Sequence, residues 1–476
     1  MITGHDILEA AAARTDEASR IRPGAWVKPA LAAANQAEAD GASRADALAA
    51  AMQFLPPPVL KPRSGEDLAF HMNIEAEDEL EERNVEAVRR TMSALMRTPV
   101  VTAGAVMPDA CPAGPVGTVP VGGVVASRAI HPGMHSADIC CSMALTNYGA
   151  TDPAALLDAM HAVTHFGPGG RKERLTLPAH VVERFEANPM LADKLDIAHW
   201  HFGTQGDGNH FAYVGRLAST GDTVLVTHHG SRGPGARLYK TGLAMAEKLR
   251  ARVSPDTLKG NAWLDPDTRE GETYWDALQA VREWTKANHF VIHDMARERL
   301  GAKVEDRFWN EHNFVFRRSD GLFLHGKGAT PAFEGWAADA GAHTLIPLNM
   351  AEPVLVARGL DAAHALGFAP HGAGRNMSRS AHKRALEGRS DEEVFAEETA
   401  HIDARFFCGR VDVSELPSAY KNAASVRAQI AKFGLAEIVD EVVPHGSIMA
   451  GDWEHDAPWK VKRREKLAAR KAEAKG

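Results

Sequence analysis

The sequence has few cysteines and no long apolar runs, and each shortage excludes a class of protein. Four cysteines in 476 residues, Cys111, Cys140, Cys141 and Cys408, are too few for a disulfide framework, so reduced thiols able to hold a metal are expected. No stretch reaches the roughly 18 uninterrupted apolar residues of a membrane helix, and the charged first residues lack the apolar core of a signal peptide. The sequence therefore predicts a soluble cytoplasmic protein with no membrane partner.

An excess of basic charge is also missing. The formal net charge of −8 argues against a uniformly basic surface for nucleic acid. The last 18 residues, WKVKRREKLAARKAEAKG, reverse this balance with eight Lys or Arg against two Glu. We predict a basic C-terminal tail over residues 452–476, which could grip phosphates or could be a solvated, frayed helix.

Residues 1–98 are predicted to form a helical N-terminal extension. Ala-rich runs such as ALAAANQAEADGASRADALAAAM favour helix and end at the breaker LPPPVLKP. The segment DELEERNVEAVRRTMSALM indicates a further helix before the character of the sequence changes at about residue 99.

From residue 99 onward, β-branched runs alternate with Gly-rich turns, as in GTVPVGGVVAS and DTVLVTHHGSRG. Ser319-Asp320-Gly321 separates two short strands and predicts a hairpin. Asp152 before Pro153 predicts the start of a helix, and a longer helix is expected in YWDALQAVREWTKANHFVIHDMARERLG. Because the regular alternation of a doubly wound fold is absent, these patterns predict an α+β fold of mixed sheets with surrounding helices.

The chemistry is concentrated in HSADICCSM and in four histidines beside Gly-rich turns or strand ends. Asp138 stands three residues before Cys141, which pairs a hard oxygen donor with a soft sulfur donor. A single histidine of this kind is usually a hydrogen-bonded structural residue, but four of them together with Asp138 and Cys141 indicate a metal site. The histidines are His210 in GDGNHF, His228 in THHGSRG, His312 in NEHNFVF and His371 in PHGAGRNMSR.

Eight segments together resemble the RtcB-type RNA ligases, also called RNA-splicing ligases. They are SADICCSM, GTQGDGNHF, HHGSRG, EHNFVF, HGKGAT, PLNM, HGAGRNMSR and AYKN, in that family's order and approximate spacing over roughly residues 100–451. The resemblance implies an RtcB-like catalytic domain over residues 99–451. It also implies an enzyme that uses two manganese ions and GTP to guanylylate its own histidine. That enzyme would join an RNA 3′-phosphate, or a 2′,3′-cyclic phosphate opened first, to a 5′-hydroxyl.

Carried over motif by motif, the resemblance assigns roles to residues of this chain. His371 would be the nucleophile, and Cys141 would bridge both ions. The implied metal ligands are Asp138, Cys141, His210, His228 and His312. The implied nucleotide-binding residues are Asn209, Arg232, Lys327, Pro347, Asn349, Met350, Gly372, Ala373, Gly374, Arg375 and Tyr420.

Elementary chemistry agrees with these roles. A thiolate has the diffuse charge and lone pairs to bridge two divalent cations, and two metals can clamp both sides of a phosphoryl displacement. Mixed oxygen, sulfur and imidazole ligation suits manganese or zinc better than magnesium. An imidazole nitrogen is a competent nucleophile toward an α-phosphate. Lys327, Arg232 and Arg375 would neutralise triphosphate oxygens, and ordinary surface ion pairs are the alternative for them.

Several positions depart from the family pattern. In its Asp-x-Gly-Cys-Gly motif, Cys140 and Ser142 replace the two glycines, so the loop is strained or reshaped if those positions need a positive φ. Cys140 is expected to be a small buried hydrophobe. Cys111 in PDAC stands where the family has a histidine, and PLNM replaces Pro-Gly-Ser-Met.

Other departures concern the guanine base. Tyr213 replaces a glutamate three residues after the ligand His210, and MAG at 449–451 replaces the expected Lys-Gly. A carboxylate pairs bidentately with the two adjacent N–H donors of guanine, and a phenol cannot. These changes predict that metal and phosphate chemistry is kept while selectivity for guanine is relaxed or changed.

Two other functions compete with the ligase. A dinuclear metal-dependent phosphoesterase would use His371 as an acid or base, and a silent binder of RNA ends would need no thiolate-bridged cluster. The ligase is favoured because all the metal-ligand types and the nucleophile are retained. Either tRNA splicing or RNA repair would supply RNA ends of this kind. The residues identify neither the natural RNA nor an accessory protein.

Overall fold

The computed structural model of the protein describes residues 2–13, 23–55, 59–64, 68–453 and 455. Within these ranges the α-helices are α1 (Gly4–Ala12), α2 (Val27–Ala39), α3 (Arg44–Met52), α4 (Glu79–Leu95), α5 (Pro153–Val163), α6 (Ala179–Ala187), α7 (Leu195–His201), α8 (Arg232–Val253), α9 (Arg269–Leu300), α10 (Arg379–Ala385), α11 (Asp391–Glu398) and α12 (Ala423–Lys432). Short 3-10 helices cover Ala192–Lys194, Lys259–Asn261, Ala363–Ala365, Val413–Glu415 and Pro417–Ala419.

The strands divide between two main sheets and one small ladder. They are β1 (His71–Met72), β2 (Val101–Cys111), β3 (Val121–Ser127), β4 (Ser142–Asn147), β5 (Phe211–Leu217), β6 (Thr223–His229), β7 (Asp306–Glu311), β8 (Asn313–Arg317), β9 (Phe323–Lys327), β10 (Ala329–Pro331), β11 (His343–Ile346), β12 (Val354–Gly359), β13 (Phe368–Pro370), β14 (Asp403–Phe406) and β15 (Ala436–Met449).

The larger sheet has the order β11-β12-β15-β5-β6-β4-β7, with β14 beside β15. The smaller sheet has the order β1-β2-β3-β9-β8, and β10 pairs with β13. Neighbouring strands run antiparallel except β1 with β2 and β14 with β15. The predicted α+β fold of mixed sheets with surrounding helices is confirmed.

Locally encoded elements form where the sequence predicts them. Asp152 caps α5 by accepting a hydrogen bond from the Ala155 amide, and Pro153 occupies the first turn. The hairpin predicted at Ser319-Asp320-Gly321 joins β8 to β9. The long predicted helix is α9, whose chain ends at Gly301 in the left-handed conformation.

Helices precede the first long strand, as predicted. Helices α1 to α3 pack on one another through a small apolar cluster of Ile7, Ala11, Ala30, Ala34, Ala47 and Ala51. Helix α4 instead shares a core with the smaller sheet, because Val88, Met92 and Leu95 pack with Val101 and Val106. The division into residues 1–98, 99–451 and 452–476 stays a prediction, and most of the basic tail lies outside the described residues.

Among the described residues, no helix combines the length and the apolar character needed to cross a lipid bilayer.

Candidate active site

The ends of neighbouring strands in the larger sheet bring distant donor side chains together. Cys141 comes directly before β4 and His312 directly after β7, and these antiparallel neighbours pair Ser142 with Glu311. The His312 amide donates to the Cys141 carbonyl at 2.9 Å. On the other side of β4, His228 near the end of β6 pairs with Met143. The register therefore places three segments of the chain around one point.

Strand β5 adds another ligand candidate to the same edge. His210 precedes β5, and Phe211 pairs with His228. The five residues proposed as metal ligands form two groups that share Cys141. One group is Cys141, His228 and His312, and the other is Asp138, Cys141 and His210; the donor atoms of each group lie within 4.8 Å of one another.

The distances fit two cations held around one sulfur. The Cys141 Sγ atom lies 3.1 Å from His228 Nε2 and 3.7 Å from His210 Nε2. His228 Nε2 lies 3.1 Å from His312 Nε2, and His210 Nε2 lies 3.1 Å from Asp138 Oδ2. Converging nitrogen, sulfur and oxygen donors of this kind suit manganese or zinc.

Backbone carbonyls orient two of the imidazoles. His210 Nδ1 lies 2.6 Å from the Gln205 carbonyl oxygen, and His228 Nδ1 lies 3.0 Å from that of Asn209. A carbonyl can only accept, so Nδ1 carries the proton in both rings. His228 Nε2 then presents its lone pair to the cluster, which is how metal-binding histidines are usually held, whereas His210 Nε2 faces the Asp138 carboxylate.

Burial shifts the pKa values of these candidate ligands. It lowers the pKa of His228 to about 3 and that of His312 well below its usual value, so both rings are neutral. Burial would raise the pKa of Asp138, but His210 holds it below its usual value. Burial and the nearby Asp138 raise the pKa of the Cys141 thiol. Metal binding at Cys141 would therefore release a proton.

The loop between Asp138 and Cys141 is reshaped at one of the two positions where glycine is replaced. Cys140 has φ 58° and is fully buried, and its amide donates to the Asn313 carbonyl at 2.7 Å. Its side chain belongs to the main apolar core, as expected for a small buried hydrophobe. Ser142 lies in the extended strand β4, so only the position before the ligand needs a left-handed backbone.

His371 follows β13 and is held by a carboxylate that the sequence interpretation missed. Its Nδ1 lies 2.6 Å from Asp109 Oδ2, and its amide donates to the same oxygen at 3.2 Å. Asp109 is fully buried in β2. Since a carboxylate accepts, Nδ1 carries the proton and Nε2 keeps a free lone pair. The His371 and His312 ring centroids are 4.9 Å apart, which places the His371 ring beside the ligand cluster.

A cavity of about 310 Å³ opens beside His371. Most of the residues proposed to bind nucleotide line it: Asn209, Lys327, Pro347, Asn349, Met350, Gly372, Ala373, Gly374, Arg375 and Tyr420. Arg232 is not in this lining; its guanidinium donates to Thr204 Oγ1 and to the Gly167 carbonyl, on the Asp138 side of the cluster. The structure thus separates Arg232 from the other basic candidates.

Ion pairs and hydrogen bonds preorganise the basic side of the cavity. Lys327 Nζ donates to the Val119 carbonyl at 3.0 Å, and burial lowers the pKa of its ammonium group. The Arg375 guanidinium lies 4.5 Å from the centroid of the Tyr420 ring. Arg375 and the Tyr420 hydroxyl both donate to Glu415, at 2.6 and 2.7 Å. Glu415 and its other partner Arg379 also line the cavity. Glu415 lies outside the quoted motifs, and Arg379 ends HGAGRNMSR but was not singled out as a site residue.

Tyr213 lines the same cavity, and its hydroxyl hydrogen-bonds to the backbone. The hydroxyl lies 3.1 Å from the Glu352 carbonyl and 2.9 Å from the Val442 carbonyl. Burial raises the pKa of this phenol well above its usual value, so it stays protonated and donates. Its polar atom therefore offers no carboxylate-like acceptor to a ligand.

Comparison with known families agrees with the motifs. The family model described as "tRNA-splicing ligase RtcB" matches residues 179–450, more than half of the chain. The chain belongs to the RtcB family. The resemblance that the sequence motifs indicated is therefore confirmed as membership.

The individual RtcB proteins that match this chain are distant from it in sequence. The tRNA-splicing ligase RtcB of Archaeoglobus fulgidus is 27% identical over 284 residues, covering 51% of this chain and 58% of the relative. That of Pyrococcus furiosus is 29% identical over 290 residues, covering 51% of this chain and 29% of the relative. The RNA-splicing ligase RtcB of Escherichia coli K12 is 26% identical over 259 residues, covering 50% and 59%. The chain spans little more than half of the first and third of these relatives.

Proposed function

We propose that this protein is an RNA ligase that joins an RNA 3′-phosphate to a 5′-hydroxyl through a nucleotide carried on His371. The observation that supports this most is the juxtaposition of His371 with two donor groups that share Cys141. A simple metallohydrolase needs no such nucleophile beside a nucleotide-sized cavity. Membership of the RtcB family supports the same function.

In the first step, His371 would attack the α-phosphorus of a nucleoside triphosphate. The Nε2 lone pair forms the P–N bond, the bond to the β-phosphate oxygen breaks, and pyrophosphate leaves. The positive charge that develops on the ring is stabilised by Asp109 through Nδ1. Lys327 and Arg375 lie in the cavity lining, where they would balance the charge of the phosphates.

The cluster would hold two ions, one by Cys141, His228 and His312 and the other by Asp138, Cys141 and His210. Bound manganese or zinc would supply Lewis-acid stabilisation of phosphate oxygens. Cys141 belongs to both donor groups and would serve both ions through its thiolate, which would account for a cysteine among these imidazoles.

In the later steps, the nucleotide would pass from His371 to the RNA end. A 3′-phosphate oxygen attacks the nucleotide phosphorus, the P–N bond breaks, and His371 regains its lone pair. A 5′-hydroxyl then attacks the activated 3′-phosphate, forms the phosphodiester and releases the nucleoside monophosphate. A 2′,3′-cyclic phosphate would be opened to a 3′-phosphate first.

Mass spectrometry of the intact protein tests the first step. After incubation with manganese and GTP or ATP, we expect one added nucleoside monophosphate, and His371→Ala should abolish the addition. A matched control is His364→Ala, which changes a histidine outside the cavity lining. Phosphate-ester hydrolysis without any covalent nucleotide would instead support the phosphoesterase.

Cys141→Ser tests the cluster independently of activity. A serine hydroxyl stays protonated at neutral pH and cannot bridge two cations, so metal content measured after dialysis should fall by at least half. The neighbouring Cys140→Ser is the control, because Cys140 points into the apolar core. Equal metal content in wild type and Cys141→Ser would contradict the proposed bridging role.

We also propose that the nucleotide site has relaxed or altered selectivity for guanine. The Tyr213 hydroxyl is committed to two backbone carbonyls, so the bidentate acceptor expected for guanine is missing at this position. Uptake of α-labelled GTP should therefore exceed that of the other nucleoside triphosphates by much less than the 10⁴-fold or so that a buried hydrogen-bonding base pocket can enforce. A strong preference for GTP alone would rule this out.

A further inference from the structure

Two exposed indoles contact one Gly-rich segment beside the metal-ligand cluster. Trp200 is 44% exposed and Trp453 is 39% exposed, which is unusual for so large an apolar side chain. Both contact the segment 167–170, Gly-Pro-Gly-Gly. A Cβ on Gly167 would lie 2.6 Å from Trp453 Cε2, and one on Gly169 would lie 3.5 Å from Trp200 Cζ2. Each ring therefore lies against one glycine of the same four-residue segment.

This segment is tied to the proposed active site by two hydrogen bonds. The Gly167 amide donates to the Gly206 carbonyl at 2.7 Å, in the loop that leads to His210. The Gly167 carbonyl accepts from the Arg232 guanidinium at 3.2 Å, and Arg232 interacts with Asp138. A chain bound at the Asp138 side of the cluster would meet Trp200 and Trp453 as it leaves.

Three exposed basic residues lie close in sequence to the Gly-rich segment or to Arg232. Lys172 and Arg174 are exposed directly after the Gly-rich segment, and Arg237 is exposed in the first turns of α8. Within the described part of the chain, none of the three forms an ion pair. The positive charges of Arg232 and Arg237 both act on His201, which neighbours Trp200. A polyanion would find cations here that are not already neutralised.

Two imidazoles near Arg232, that of buried His201 and that of half-buried His165, also have unused nitrogens. His201 accepts a hydrogen bond from the Gly233 amide at Nδ1, so its neutral ring carries the proton on Nε2. That N–H and the Nε2 of His165 are both buried without a hydrogen-bond partner in the described residues. Buried polar groups are normally satisfied, so the His201 N–H requires an acceptor that the described residues do not supply, such as a water or a phosphate oxygen.

We propose that Trp200 and Trp453 form a stacking platform for the unpaired nucleotides next to the RNA end that the enzyme joins. This inference rests on the proposed ligase function and assigns its substrate class: RNA whose end is single-stranded. Bases stack on aromatic side chains without regard to sequence, while basic groups follow the backbone, and this surface offers both. A base-paired end keeps its bases stacked on one another and gains nothing from the platform.

Fluorescence anisotropy with the full chain would test the platform. The probe is an unstructured RNA of about ten nucleotides ending in a 3′-phosphate, and the comparison is a blunt duplex of the same sequence. Trp200→Ala and Trp453→Ala should each weaken binding of the single strand about tenfold, with much smaller loss for Trp200→Phe and Trp453→Phe. Binding of the duplex should change little. The control variant is Phe54→Ala, an aromatic that is 41% exposed in the N-terminal region.

Two results would overturn the platform. One is undiminished affinity for the single strand in both alanine variants, and the other is an equal loss for single strand and duplex. Nucleotide uptake by each protein is measured in parallel without RNA. A wild-type protein that never charges His371 contradicts the proposed function, whereas the comparison of single strand with duplex still decides whether the indoles bind unpaired bases.

Discussion

At the scale of the residue, the ring of His371 is fixed through one of its two nitrogens. Asp109 accepts from both the ring and the backbone amide of His371, so one carboxylate oxygen sets the tautomer and the direction of Nε2. The carboxylate lies in a different strand and is fully buried, which makes it rigid. Its charge would also stabilise the imidazolium that forms when Nε2 attacks a phosphorus.

Asp109→Asn keeps the size of this side chain and removes its charge. We expect the single-turnover rate of nucleotide uptake on His371 to fall about 10- to 100-fold, as is typical when an orienting carboxylate of a functional histidine is changed. The concentration of nucleotide that gives half-maximal rate should change little, because Asp109 orients the nucleophile and does not line the cavity. Quenched-flow measurement with labelled nucleotide gives both quantities.

A structural role alone would give another pattern. If Asp109→Asn lowers the melting temperature and leaves the single-turnover rate of the folded protein unchanged, Asp109 serves packing and the orienting role is wrong. Asn313→Ala changes the cavity lining but leaves Asp109 and His371 in place, so it separates loss of orientation from general disturbance of the pocket.

Cys140 raises a separate question of backbone strain. Holding a non-glycine residue at φ 58° costs about 1 kcal/mol or more of folding free energy relative to glycine. We expect Cys140→Gly to be more stable than Cys140→Ala by about 1 kcal/mol, since both lose the buried sulfur and only glycine relieves the strain. Urea denaturation of the two variants measures the difference.

The same pair of substitutions at Cys111 serves as the control. Cys111 ends strand β2, and its φ is not positive, so alanine should there be the more stable of the two by about 0.5 to 1 kcal/mol. The sign of the difference should therefore reverse between the two cysteines. The same sign at both would show that the strain at Cys140 is negligible.

At the scale of the element, the sequence predicted what depends on near neighbours. Asp152 and Pro153 mark the start of α5, and the turn after β8 is encoded in three consecutive residues. The meeting of β13 with β2 has no such local signal, because Asp109 and His371 are 262 residues apart. Asp109 stood in the PDAC segment, yet only the packed strands reveal that it faces His371. The motif order indicated the ligand cluster because the family resemblance stood in for that tertiary information.

Helix α9 and strand β7 are joined by a buried ion pair directly behind the cluster. Arg282 is 7% exposed and donates to Glu311, the last residue of β7 before His312. Its guanidinium also lies 2.7 Å from Asp339 and 4.9 Å from the centroid of the Trp309 ring. The contacts of one side chain therefore hold the helix against the strand that places His312.

Arg282→Met should destabilise the protein by about 3 to 5 kcal/mol, because it leaves the carboxylate of Glu311 buried without a cation. The double variant Arg282→Met with Glu311→Gln should recover part of that loss, since the stranded charge is gone. Lys286→Met is the control: Lys286 pairs with the same Asp339 but is half-buried, so its loss should cost under about 1 kcal/mol. A double variant no better than the single one would contradict this account of Arg282.

At the scale of the whole molecule, the interior holds several buried imidazoles whose pKa is lowered, so that they are neutral. Behind the cluster, hydroxyl groups and rings alternate in one hydrogen-bonded chain: His289 bonds Ser142 and Thr227, and His293 bonds Thr227 and Thr146. These bonds satisfy the rings without charging them, which a buried site requires. This hydrogen-bonded chain links β4, β6 and α9. The strands next to Cys141 and His228 are therefore held in part by imidazoles that can take up protons.

Burial lowers the pKa of His131 and His135 to about 4 and that of His293 to about 3, against the ordinary value of 6.5. Because the folded pKa is lowered, the unfolded chain takes up protons first as pH falls below about 6.5. The stabilisation is complete above that pH and is lost toward the folded values. At pH 5 each ring should cost roughly 2 kcal/mol, so the free energy of unfolding should fall by several kcal/mol between pH 7.5 and pH 5.

Urea denaturation at these two pH values, with chelator present throughout so that metal release does not contribute, measures this loss. In His293→Gln one titrating ring is removed and hydrogen-bonding atoms are kept, so the difference between the two pH values should shrink by roughly 2 kcal/mol. His5→Gln changes an exposed histidine of α1 and should leave the difference as it is in the wild type. A free energy of unfolding that stays constant from pH 7.5 to pH 5 would mean that protons reach these rings in the folded protein, and the neutral, buried imidazole chain would then not describe its interior.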